Sequence, residues 1–425
     1  MTEQTIRKGA VQPTATEPSA AARHPGRFWR TLALIGPAFV AGAWQFGPGN
    51  LASAVQAGSA YQYTLIWVIV VSTVLMIFLT DMSVRLGIQS PVSLISSIKK
   101  RLGSAAGMVA GIGVFLITLC FSVGNAVGAG LGLSLLVPGT APVMWSLICT
   151  LFVASILFIR STYAVVEKIL VVMIAVMAIC FVASAFVSGA DWAQAASSLV
   201  PSVPSGAWIL VIALVGTNFS INAAFYASYA TKERKRTAEE YKTVTLVDTI
   251  PGIVAPGIMT ILVIVVAAAV LGQTGSPLDS FAGLAKVFEP LAGPVGGFIF
   301  ALGFCGSALS SMIPNAIAGG TMLSDAFGRG ASAGTVTARV TSGCVLAFGL
   351  MVTLLFQGSP VQLIILAQAL TVLVAPILAI LIVFMANDRG LMGRLRNKWW
   401  QNVFGIIGVV SVCALSIRLL INFFV

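Results

Sequence analysis

Gly47-Pro48-Gly49-Asn50 stands in the middle of the first long apolar stretch of this chain, Thr31 to Gly58. Proline donates no amide proton and glycine supports a helix poorly, so this tetrapeptide breaks the helix that the surrounding residues would otherwise form. At membrane depth, unpaired backbone groups persist only where they face protein or a water-filled cavity. A span interrupted there marks a solute site, and the expected class is a transporter.

The membrane setting follows from composition. Of 425 residues, 58% are hydrophobic and only 9% charged, whereas about 25% charge is usual in a soluble domain. Apolar stretches fall near residues 31–58, 62–87, 105–137, 141–159, 164–188, 206–230, 244–272, 293–323, 337–357, 361–386 and 403–424. Many exceed the roughly 20 residues that cross a bilayer, so an all-α polytopic membrane protein of 11 spans is expected. The net charge of +11 does not point to nucleic acid, because Lys and Arg cluster in short loops between spans. With an N-terminus inside the cell, all the basic residues except Lys286 and Arg418 fall on the cytoplasmic side, the bias expected of a plasma-membrane protein. The C-terminus then lies outside, and a bacterial inner membrane is the expected location. Residues 1–30 read as a disordered cytoplasmic tail.

Ten core spans plus one fit an inverted 5+5 repeat, residues 31–188 and 206–386, with 403–424 as the eleventh helix. In that scheme spans 1 and 6 are both broken at the midplane. Span 6 carries Thr217, Asn218, Ser220 and Asn222 within six residues, which is costly in lipid unless they face a cavity or one another.

These residues together resemble the Nramp divalent-metal transporters over most of 33–396. Ile35-Gly36-Pro37-Ala38-Phe39 and Gly47-Pro48-Gly49-Asn50 are similar to the family's GPG[FL]…DPGN opening, with Gln56-Ala57-Gly58 and Arg85-Leu86-Gly87-Ile88 as its continuation. Ser310-Ser311 ahead of Ala318-Gly319 is similar to its SSTxxGxxAG region. Leu366-Ala367-Gln368, Pro376 and Asn387 to Gly393 resemble LSQ…P…NRKLMG. The resemblance implies the inverted-repeat fold and alternating access. It also exposes departures. The family's aspartate falls on Gly47, its MPHN motif falls on Ser220-Ile221-Asn222-Ala223, and the acidic positions of its third span fall near Ser122 and Asn125. Asn50 and Gln368 match residues that support the family's metal site.

No acidic residue is placed at the midplane. Asp81, Glu167 and Asp248 stand near the cytoplasmic ends of spans 2, 5 and 7, and His24, the one histidine, is in the tail. Desolvating a divalent cation costs tens of kcal/mol unless anionic ligands replace its water. The expectation is therefore a small organic solute, anionic or zwitterionic, held by the amides around Gly47 and Gly49 and by Asn50, Asn218, Ser220, Asn222 and Gln368. Trp44, Phe46, Phe219, Ser122, Asn125, Ser310 and Ser311 are expected to line the site. The alternative is a divalent metal, either a largely hydrated Mg²⁺-like ion on Asn and Gln oxygens or Mn²⁺/Fe²⁺ as in the family. No cofactor, resident metal or nucleic-acid partner is expected, and the lipid bilayer is the surroundings. The coupling ion is left open: Asp248 and Glu167 are the candidate proton carriers, and Ser310 or Ser311 with backbone carbonyls could serve sodium. No HExxH, GxSxG or paired intramembrane carboxylates point to an enzyme. A channel would use the same broken helices.

Overall fold

The computed structural model describes residues 45–158, 163–272, 281–356 and 358–424. The tail 1–30, residues 31–44 of the first apolar stretch, and with them Trp44, lie outside the described residues. The helices are α1 (Pro48–Tyr61), α2 (Ile66–Gln89), α3 (Leu94–Leu102), α4 (Ser104–Leu136), α5 (Pro142–Phe158), α6 (Tyr163–Val187) and α7 (Trp208–Asn218). Then come α8 (Ile221–Glu233), α9 (Ile250–Leu271), α10 (Pro294–Ala326), α11 (Val336–Leu355), α12 (Pro360–Thr371), α13 (Ala375–Ala386) and α14 (Trp399–Phe424). Among the described residues, eight spans are long and apolar enough to cross a membrane, with shorter apolar helices at Pro142–Leu157 and Val172–Val187. This is a polytopic all-α membrane fold of the inverted-repeat kind.

The scaffold is the pair α4 and α10, the third span of each repeat. Each runs 33 residues, about 50 Å at 1.5 Å per residue, which is longer than the ~30 Å hydrocarbon layer and so requires tilt or projection. Lipid offers no hydrophobic drive for helix pairing, so the two helices associate through small residues. A methyl group on Gly111 would lie 2.2 Å from Ala326 Cβ, and one on Gly132 would lie 2.8 Å from Cys305 Cβ. A polar clasp adds direction: Asn315 Nδ2 donates to the Thr118 carbonyl at 2.9 Å.

The first and sixth spans are discontinuous, as expected from their residues. The stretch 361–386 was expected to be one helix and is instead two, α12 and α13, separated at Val372–Val374 by tighter turns such as Val372 N–H to the Ala369 carbonyl. Pro376, in the first turn of α13, cannot continue the α-helical ladder. Before α9 the chain makes a π-helical turn at Thr245–Thr249, where the Ile250 N–H reaches back to the Thr245 carbonyl. Pro251 follows it immediately.

At the end bearing the basic loops, α2 carries a buried ion pair. Arg85 Nε donates to Asp81 Oδ2 at 2.9 Å, and the same guanidinium donates to the Leu395 carbonyl at 2.7 Å and to Asn397 Oδ1 at 2.9 Å. Tyr241 and Thr245 donate to the carboxylate from the start of the seventh span. Every charge here is met, which is the condition for tolerating burial. Removing one partner by Arg85→Ala should cost about 3–5 kcal/mol, read as a large fall in thermal unfolding temperature of the detergent-purified protein. Arg101→Ala, which breaks the more exposed 3.4 Å pair with Asp388, should cost under about 1 kcal/mol.

Candidate functional site

The break in the first span is made by Phe46 and Gly47, between a helical Gln45 and the start of α1 at Pro48. Proline suits that first helical position, since its missing N–H would have had no partner there. Gly47 caps α1 with no side-chain bond to the free amides, and its carbonyl accepts from Leu51 N at 3.1 Å. In the sixth span, Phe219 (φ −91°, ψ 59°) and Ser220 (φ −77°, ψ 80°) leave helical geometry between α7 and α8. Two helix N-termini with unfilled backbone donors, α1 and α8, thus start inside the membrane.

Gln368 of α12 is held by glycines. A methyl on Gly49 would lie 2.4 Å from its Cδ, one on Gly124 would lie 2.8 Å from its Nε2, and one on Gly216 would lie 2.3 Å from its carbonyl oxygen. Helices α1, α4 and α7 therefore each give up a side chain where this one residue lodges. The Thr371 hydroxyl donates to the Gln368 carbonyl at 2.7 Å, while Gln368 Oε1 is buried with no partner among the described residues.

The same is true of several neighbouring amides. Asn50 Nδ2, Asn125 Nδ2, Asn222 Nδ2 and both amide atoms of Gln45 are buried without partners among the described residues. Buried polar atoms are nearly always hydrogen-bonded, so a cluster of unmet ones points to water, an ion or a ligand. Thr260 Oγ1 lies 2.8 Å from both Asn50 Oδ1 and the Pro256 carbonyl. A hydroxyl has one proton to give. If that proton goes to the Pro256 carbonyl, an inverted Asn50 amide would donate Nδ2 to Thr260 and leave Oδ1 unmet. Asn222 has the same freedom against Ser220, whose hydroxyl lies 2.8 Å from Asn222 Oδ1. Gln45, Asn50, Asn222 and Gln368 can accordingly offer carbonyl oxygens or amide donors, all uncharged. Among the described residues no group of three His, Cys, Asp or Glu side chains could hold a metal.

The expected site residues divide. Gly47, Gly49, Asn50, Ser220, Asn222, Gln368, Phe46 and Asn125 lie at the breaks or beside them and are buried. Asn218 does not join them: its Nδ2 donates to Ser72 Oγ at 2.7 Å and Thr73 Oγ1 at 2.8 Å, pinning α7 to α2. Ser122 turns to α11, where its hydroxyl donates to the Val345 carbonyl at 2.7 Å. Phe219 faces α14, its ring 3.6 Å from a methyl placed on Gly408. Ser310 is half-buried and spends its proton on the Ser307 carbonyl, while Ser311 is buried on α10. Gln45 lies outside the expected set. Gln45 has a signal, a carboxamide in an apolar run two residues before the Gly47 break.

Access differs at the two ends. Opposite the basic loops, α7 packs broadly against α12, with Gly216 against Gln368. At the basic end, a cavity of about 410 Å³ opens between Tyr226, Tyr229 and Glu233 of α8 and Ala318, Thr321 and Met322 of α10. Tyr226, its innermost residue on α8, lies one helical turn from Asn222. Its rim is latched by Asp325 of α10, which accepts from Ser93, from Ser96 at 2.8 Å and from Tyr229.

The family model for natural resistance-associated macrophage protein-like (Nramp) proteins matches residues 38–422. The chain belongs to the Nramp family. It is 27% identical over 405 residues to the divalent metal cation transporter MntH of Pectobacterium carotovorum, covering 92% of this chain and 94% of that one. It is 24% identical to the MntH of Acidiphilium cryptum, over 100% and 98% of the two chains. The fold is similar to that of the Eremococcus coleocola manganese transporter, with TM-score 0.76 and 19% identity over 96% and 90% of the chains. The nucleobase-cation-symport-1 transporter MHP1 is more distant, at TM-score 0.55 and 17% identity over 90% and 91%. The protein is thus a multi-pass membrane transporter and not an enzyme. The expectation of an organic solute as cargo and partner is overturned, because the curated relatives are named as divalent metal cation transporters. Loss of charge does not by itself favour an anion, because carboxamides present oxygen as readily as N–H.

Gly49→Ala should displace Gln368 at an overpacking cost of about 1–3 kcal/mol. Uptake into proteoliposomes should fall roughly tenfold or more, since about 1.4 kcal/mol is a decade. Gly297→Ala, with nothing within 4 Å, should leave uptake unchanged.

Proposed function

We propose that this Nramp protein carries a divalent metal cation by alternating access, holding it at the two broken spans on neutral oxygens while the ion keeps much of its water. Support for the cargo comes from the names of its relatives. Support for the mode of binding comes from one observation: at or beside the two breaks, Gln45 and Gln368 leave buried amide oxygens unmet, and Asn50 and Asn222 leave buried amides that present oxygen once inverted. Gly47, Gly49 and Ser220 would add backbone contacts, with Phe46 and Asn125 alongside.

Neutral carbonyls cannot repay the loss of a divalent ion's full hydration shell. They can hydrogen-bond to its bound waters or replace a few of them, which suits a hard, slowly dehydrating ion such as Mg²⁺. The carboxylate that lets a hard ion shed water is missing at Gly47, and the soft thioether that selects transition metals is missing at Ser220 to Ala223. Discrimination between Mg²⁺ and Mn²⁺ should therefore be weak. The location of the basic loops favours an N-terminus inside and a C-terminus outside, in a bacterial inner membrane.

Proteoliposomes holding the purified protein should take up Mg²⁺ and Mn²⁺ saturably. Gln368→Ala and Asn50→Ala should each reduce that uptake several-fold. Gly47→Asp should tighten binding at least tenfold, because a carboxylate about 4 Å from a cation contributes about 4 kcal/mol per unit charge at an effective dielectric of 20. Saturable uptake of an organic anion with no divalent uptake would overturn the proposal. None of the four amides titrates, so uptake at clamped voltage should be nearly independent of a pH gradient. Abolition by a protonophore would contradict that.

A further inference from the structure

A second cavity lies on the flank of the transporter and reaches Phe219 at its inner end. It is a groove of about 620 Å³ between α2, α7 and α14. Its walls are apolar along nearly the whole length, with Val71, Leu75, Val211, Val215, Val412 and Leu415 among them. One charged residue borders it: Arg418 of α14.

Arg418 is half-buried in the last third of a membrane helix. Its guanidinium sits 5.0 Å from the centre of the Trp208 ring, and its Nε is buried without a hydrogen-bond partner. Among the described residues no carboxylate lies within ion-pairing distance. An ionisable side chain in a span is costly and normally has a partner. Depth identifies the missing one. Arg418 lies 19 residues beyond Trp399, about 28 Å along the helix axis, or nearly one hydrocarbon thickness from the basic end. Trp67 and Trp208 stand at the first turns of α2 and α7 at that same far interface, where tryptophan belts collect. Trp67 is held there by donating Nε1 to the Ser202 carbonyl at 2.9 Å. Arg418 is therefore at the level of lipid phosphates, above an open apolar slot.

We propose that this groove binds an anionic phospholipid of the leaflet opposite the basic loops. The phosphate pairs with Arg418, and one acyl chain lies between α2, α7 and α14 as far as Phe219. The shape separates this occupant from a free anion, which would leave the apolar walls uncovered. The inner end of the chain meets the break between α7 and α8, so the lipid touches the transport machinery without being cargo.

Native mass spectrometry of the full-length protein, delipidated and then titrated with dioleoyl-phosphatidylglycerol or dioleoyl-phosphatidylcholine, tests the proposal. The wild type should retain one phosphatidylglycerol at least fivefold more tightly than phosphatidylcholine. Arg418→Gln should abolish that preference, and Val71→Trp, which fills the slot with the charge intact, should abolish retention. Arg339→Gln, a basic residue outside the groove, should change nothing. Equal retention of the two lipids by the wild type, retention by Val71→Trp, or displacement of the lipid by 10 mM inorganic phosphate would overturn it. Should Arg418→Gln fail to fold, the wild-type preference and the Val71→Trp result still decide.

Discussion

A backbone that leaves helical geometry inside a membrane must find partners for its amides and carbonyls somewhere other than lipid, and the rest of this structure is arranged around that requirement. The first span gives up its helix at Phe46–Gly47 and the sixth at Phe219–Ser220. Between these breaks lodges Gln368, seated on glycines of three different helices. The long α4–α10 pair holds that arrangement in place through small-residue contacts and the Asn315 clasp. What remains unmet among the described residues is a set of uncharged amides, the place that the proposed function gives to the solute.

The chemistry of such a set differs from that of a carboxylate site. A carboxylate compensates a cation by charge and allows it to shed water, whereas amides compensate by dipoles and leave much of the hydration shell in place. Nramp membership and this amide site are reconciled if the cargo class is kept and the ligation is relaxed. The two ends of the path are built unequally as well. At one, α7 packs against α12, and the other holds a cavity rimmed by the Asp325 latch to α3 and Tyr229. Buried polar networks at that end, this one and Asp81–Arg85, are fully satisfied, which makes them suitable as discrete contacts that form or break as a unit.

Much of this was legible in the amino-acid sequence because glycine, proline and charge act locally. Gly47-Pro48-Gly49 announces its break, and the basic loops mark one face. The discontinuity in span 10 has only Pro376 as its sequence signal, and one proline near the middle of an apolar run also fits a kinked helix. Where a polar side chain points depends on the neighbour it meets. Asn218 looked like part of the binding cluster and instead ties α7 to Ser72 and Thr73 of α2. Ser122 likewise serves α11. The signal at Gln45 is one amide between Trp44 and Phe46, with no second polar residue beside it to make a pattern. The cargo is the least legible part, because charge is visible in a sequence while the water retained by an ion is not.

The hydration of the bound ion is the most direct test. Mn²⁺ bound to the purified protein, examined by electron–nuclear double resonance in ¹⁷O-enriched water, should show about half or more of its octahedral positions filled by water. Nitrogen or carboxylate ligation with few waters, or no specifically bound ion, would contradict the account.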